Sequence, residues 1–135
     1  MQFIYFCNME PDQTYNEWYF QADYDLEVAG DMFKSGRYIY CIFMCHLSLE
    51  KGLKGLFNKR TGDYPPKSHS LIYFVERIGL VLADKDQEFL FALNKISVPT
   101  RYPENLKDLI KEFNQVDTEK LLKTTRVTLQ WIKQQ

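Results

Sequence analysis

The sequence predicts an all-α protein, an antiparallel up-and-down bundle of about five helices. Three observations carry that prediction. Apolar residues recur at steps of three and four along most of the chain, the period of one helix face. The 6 glycines and 5 prolines are too few for the many tight turns of an all-β chain. Residues that start or stop helices bracket most of the periodic stretches. At 135 residues the chain fits one domain with a sizeable core. We divide it into an N-terminal tail, 1–13, and a helical domain, 14–135.

Tyr15, Trp18, Ala22, Leu26, Ala29 and Phe33 form the stripe of a first helix that ends near Gly36. Its other face carries Asn16, Glu17, Asp23, Glu27 and Asp31, an acidic side for solvent. From Tyr38 to Phe57 apolar residues leave few polar positions, so this second helix must be covered around much of its circumference. It is central, or it lies in an oligomer interface. Gly62, Pro65 and Pro66 mark the stretch 58–67 as a loop. Ser68 is expected to cap a third helix with Leu71, Phe74, Val75, Ile78 and Leu82 as its buried stripe, and Asp84 with Gln87 to form a capping box for a fourth. The fourth buries Phe89, Ala92, Leu93 and Ile96 and is expected to break at Pro99, leaving an irregular segment to Pro103. Leu106, Leu109, Ile110 and Phe113 suggest a short helical piece, and Asp117 is read as opening the last helix.

Lys and Arg total 17 against 18 acidic residues, so no long-range field draws phosphate polymers to the chain, and nucleic-acid binding must be local. Cys7, Cys41 and Cys45 lack metal-ligand spacing and are expected to be reduced, mostly buried thiols of a cytoplasmic protein. No stretch is long enough to span a bilayer. Met1 to Cys7 has neither the basic start nor the cleavage site of a signal peptide, and with Met9 close behind it the first eight residues read as an upstream translation start or a tail outside the core.

Four places carry groups capable of chemistry. His46, Glu50 and Lys54 stand at successive four-residue spacings on one face of the second helix, either as a polar ridge or as an ordinary helix-surface ion pair. Asp25 sits at the edge of the first helix's apolar face, where it meets a neighbouring cation or simply solvent. His69, near a helix start, could help hold a phosphate or could pack there. Arg101-Tyr102-Pro103 offers a guanidinium suited to phosphate and a ring able to stack on a base, unless it is only a surface turn. No phosphate-binding glycine loop, dinucleotide fingerprint, metal-binding histidine pair or nucleophile elbow occurs, and neither a metal nor a cofactor is expected.

Taken together, Trp18 and Asp25, then Leu49-Glu50-Lys51-Gly52-Leu53-Lys54, then His69-Ser70-Leu71, then Arg101-Tyr102-Pro103-Glu104 resemble a HEPN (higher eukaryote and prokaryote nucleotide-binding) domain over residues 14–133. The resemblance implies an antiparallel helical bundle, commonly a homodimer, often paired with a small nucleotidyltransferase in a toxin–antitoxin setting. Many such proteins are metal-independent ribonucleases whose site is an arginine followed after four to six residues by a histidine. Here the positions counted from Arg101 hold Leu106, Lys107 and Asp108, and neither Arg37 to His46 nor Arg60 to His69 has the spacing. The expected function is therefore a non-catalytic nucleotide- or RNA-binding module. Arg101, Tyr102, His69 and Lys54 are its binding residues, and Asp25, His46, Glu50 and Lys51 are a supporting polar cluster. A ribonuclease and a purely structural dimeric partner are the alternatives.

Overall fold

The computed structural model describes residues 11–135, with side chains from residue 14 onward. The tail assigned to 1–13, the eight leading residues and Cys7 thus lie outside the described side chains. The regular structure of the described residues is all helix, with α1 Pro11–Lys34, α2 Tyr38–Thr61, α3 Leu71–Ile78, α4 Asp84–Arg101, α5 Leu106–Ile110 and α6 Gln115–Lys133.

Helices α1 and α2 form a tight antiparallel hairpin. Gly36 takes a left-handed φ of 78°, and Arg37 N–H returns to the Met32 carbonyl at 2.8 Å, so α2 begins almost at once. Helix α2 touches each of the other five helices, which confirms it as the central element. Its Ile42, Leu49, Leu53, Leu56 and Phe57 meet Leu71, Phe74, Leu90, Leu93, Leu129 and Ile132 in the main core. A smaller cluster of Ala29, Cys41, Cys45 and Leu122 closes the end near the hairpin.

Two glycines of α2 set how near its neighbours come. A Cβ on Gly55 would stand 2.7 Å from the Tyr19 ring and 3.0 Å from Trp18 Cβ, and one on Gly52 would stand 2.7 Å from Leu129 Cδ1. Their missing side chains admit α1 on one side and α6 on another.

Several boundaries differ from those expected, each for a local reason. Helix α2 runs past Phe57 to Thr61, because Asn58 is buried and Gly62, at φ 77°, ends the helix by donating to the Asn58 carbonyl at 2.8 Å. The cap of α3 is Ser70, which accepts from Tyr73 N–H at 3.1 Å, while Ser68 only accepts from Ser70 N–H. Gly79, at φ 76°, stops α3 before Leu82 is reached. The Asp84–Gln87 capping box does not form. Ala83 is the cap, its carbonyl takes Gln87 N–H at 3.0 Å, and Asp84 and Asp86 favour the helix start through their charge. Along α4 it is Leu90, rather than the exposed Ala92, that joins Leu93 in the core. At α6 the cap is Asn114, which accepts from Asp117 N–H at 2.8 Å and donates to the Asp117 carboxylate at 2.9 Å.

The largest correction concerns Pro99, which does not break α4; the helix continues to Arg101. Pro99 and Lys95 are both exposed, so the carbonyl left without its donor can turn to water. On the buried side the hydroxyls take up the slack. Ser97 Oγ donates to the Asn94 carbonyl at 2.7 Å, and Thr100 Oγ1 lies 3.1 Å from the Ile96 carbonyl and 3.0 Å from that of Ser97. The helix stops only at Tyr102, whose φ of −134° and ψ of 72° suit the residue before Pro103.

Candidate functional site

The i, i+4 spacing of His46, Glu50 and Lys54 turns one polar strip of α2 toward the start of α3 and the end of α4. The Glu50 carboxylate is buried, and three cationic or imidazole groups surround it. Lys54 Nζ lies 3.0 Å from Oε2, His69 Nδ1 lies 3.2 Å from both oxygens, and His46 Nδ1 stands 3.8 Å from Oε1. Lys54 is itself largely buried, its ammonium 5.6 Å from the centre of the Trp18 ring and 5.9 Å from that of Phe74. Such apolar walls weaken water's screening, so the Lys54–Glu50 pair is more tightly bound than an exposed helix pair. The i, i+4 pair of Glu50 and Lys54 forms, and it lies largely buried rather than on the helix surface.

His69 sits in the loop just ahead of α3, aimed back at α2. Its side chain is 69% exposed although its Nδ1 faces a carboxylate that is only 3% exposed. A carboxylate accepts only, so Nδ1 carries a proton and Nε2 is left toward solvent.

His46 is fully buried, and neither ring nitrogen has a hydrogen-bond partner of good geometry. Burial holds its pKa below the ordinary histidine value. Glu50 opposes this, Arg101 and His69 add to it, and the nearby Asn94 amide favours the charged ring. Asn94 has a clear structural task as well, since its Oδ1 accepts from Leu71 N–H at 2.7 Å and ties α3 to α4.

Arg101 ends α4 rather than standing in an irregular segment. It is half-buried, with its guanidinium carbon 4.9 Å from the centre of the Phe43 ring on α2. No carboxylate among the described residues forms an ion pair with it. A stacked guanidinium keeps its edge, where the N–H donors lie, open to an anion.

Tyr102 goes elsewhere. Its ring is 77% exposed and lines a cleft of about 310 Å³ with Val98, Pro103, Glu104, Asp108 and Glu112, a wall richer in carboxylates than in cations. Asp25 and Lys51 form a second pair at 2.8 Å that ties α1 to α2, apart from the Glu50 carboxylate. Lys107, at one position of the ribonuclease spacing, is exposed on α5.

Thus the fold gathers Lys54, His69 and His46 around Glu50 and sets Arg101 within electrostatic reach of His46, while Tyr102 and the Asp25–Lys51 pair stand apart. Sequence reasoning missed Asn94 and Phe43. Asn94 was signalled by an amide next to Leu93 and four residues after Leu90 on the core-facing side of α4; Phe43 had no signal apart from core. Among the described residues no three His, Cys, Asp or Glu side chains group as metal ligands, and no described helix is long and apolar enough to cross a membrane.

Comparison with known proteins agrees with this architecture. The chain is similar in fold to the crystal structure of TT1696 from Thermus thermophilus, with a TM-score of 0.76 and 22% identity, over 89% of this chain and 96% of that one. It is likewise similar to ST0689, described as an archaeal HEPN homologue, with a TM-score of 0.69 and 24% identity, over 88% of this chain and 94% of that one. No curated protein matches. The HEPN domain model matches residues 15–135, nearly the whole helical bundle, and the chain belongs to the HEPN domain family.

Proposed function

We propose that this HEPN-domain protein is a nucleotide- or RNA-interacting module that binds without cleaving, with Arg101 as its phosphate anchor. One observation carries the reading. Arg101 is stacked on Phe43 with no carboxylate pairing it among the described residues, a cation held in place with its donor edge free. His69 adds a solvent-facing ring on the neighbouring polar strip, and Lys54, committed to Glu50, balances the buried charge there. Tyr102 can stack on a base or sugar, but the carboxylates of its cleft repel phosphate, so the phosphate belongs on the Arg101 side. The near-neutral chain supplies no general attraction to a polyanion, so this local arrangement must carry the affinity. Assembly as a homodimer and a small nucleotidyltransferase as partner complete the proposal, on the family likeness alone.

Titration of the purified chain with mononucleotides and a short single-stranded RNA, at low and moderate salt, tests it. Arg101→Ala is expected to weaken binding about tenfold or more, the loss of charge-assisted hydrogen bonds of about 1.5–3 kcal/mol, with little change in Tm. Unaltered affinity in the variant, or no binding by the wild type at millimolar ligand, overturns the reading.

A further inference from the structure

The geometry points to His69 as a phosphoryl-acceptor site, an imidazole whose Nε2 takes a phosphoryl group from a small activated donor such as a phosphoramidate or an acyl phosphate. The inference does not depend on the nucleotide reading. It rests on an arrangement that an ordinary surface histidine lacks. The Glu50 carboxylate, 3% exposed, receives Nδ1 at 3.2 Å through both oxygens, while the imidazole ring itself is 69% exposed. Lys54, 3.0 Å from Oε2 and walled by Trp18 and Phe74, sets its ammonium against that carboxylate from the buried side.

Each part has a chemical consequence. With Nδ1 donating to Glu50, the lone pair of the neutral ring is on Nε2, the nitrogen a donor in solution can approach. This is the arrangement of an activated nucleophile, an attacking group whose partner is oriented by a third side chain. In the transfer the Nε2 lone pair forms a new N–P bond as the donor's P–N or P–O bond breaks. The breaking bond's electron pair leaves with ammonia or with the carboxylate. The phosphorylated ring retains its Nδ1 proton and gains positive charge, which the Glu50 carboxylate faces directly. Glu50 is therefore a positioning residue, and His69 is the residue that reacts. Exposure favours an acceptor over a proton shuttle, because the ring stands open to solvent and a donor needs only to reach Nε2.

The chain makes the test unusually clean, since it has two histidines and the other, His46, is fully buried. The intact chain is incubated at neutral pH with phosphoramidate and, in parallel, with acetyl phosphate, and phosphorylation is followed by intact mass and by stability in alkali against lability in acid. The expected result is one phosphoryl group per chain, absent from His69→Gln. It forms on the order of tenfold faster than in the urea-unfolded chain and slows by a similar factor in Glu50→Gln, the effect of one charge-assisted hydrogen bond. Labelling that persists in His69→Gln, or Glu50→Gln labelling at the wild-type rate, overturns the proposal. So does a native chain labelled no faster than the unfolded one, a comparison that holds even where Glu50→Gln fails to fold.

Discussion

His46 is a fully buried polar side chain of the core. Its ring is sealed from solvent and unmatched by any well-formed hydrogen bond, so it is held neutral. The charged groups facing it divide, with Glu50 favouring its protonation and Arg101 and His69 opposing it. A histidine whose folded pKa lies below its unfolded value leaves stability untouched above about pH 6.5, where both states are neutral. Below that pH the unfolded chain takes up the proton first, and stability falls until the folded pKa is reached. Urea midpoints measured between pH 7.5 and pH 5 are therefore expected to decline more for wild type than for His46→Leu. Parallel declines in the two proteins would show that other groups set the slope. At this same scale the sequence announced the spacing of His46, Glu50 and Lys54 but not what faced them. His69 lies 19 positions from Glu50, and only the turn of the chain through the 62–70 loop brings it there.

At the scale of the element, the starts of helices show how close competing caps can be. Ser68, Ser70, Asp84, Asn114 and Asp117 are all residues that favour a helix start, and the structure uses Ser70 and Asn114. What separates Ser68 from Ser70 is the anchoring of Leu71 N–H by Asn94, a tertiary bond that fixes where α3 can begin. Ser70→Ala is expected to lower the unfolding free energy by about 1 kcal/mol, and Ser68→Ala by distinctly less. Chemical denaturation of the two variants side by side checks this, and equal losses would move the cap back to Ser68. Pro99 belongs to the same lesson. Intrinsic preference predicts a break, but a solvent-exposed face at Lys95 and Pro99 and two buried hydroxyls let α4 pass through, which makes Arg101 a helix-end residue stacked on α2.

Across the whole molecule, α2 is the axis on which the other helices are laid. Cys41 and Cys45 sit inside it as free thiols with no exposed surface. Cys45 is pushed well above the usual thiol range, its hydrogen bond with Cys41 and its burial both favouring the uncharged form. Both thiols are expected to resist a thiol reagent in the native chain and to become reactive across the same urea range in which the helical signal is lost. Early reaction of either would show that the hairpin end of α2 opens separately from the main core.

The fold class was legible in the sequence because it follows from local periodicity. The stripe of α1, and the near-continuous apolar surface that made α2 central, need only the 3.6-residue turn to be read. The family likeness lay in ordered local motifs and was legible for the same reason. What only the tertiary structure decided is which polar groups meet. The approach of His69 to a buried Glu50 and the stacking of Arg101 on Phe43 depend on contacts between residues distant in sequence. Electrostatic effects depend on distance and burial in space, and a one-dimensional pattern carries neither.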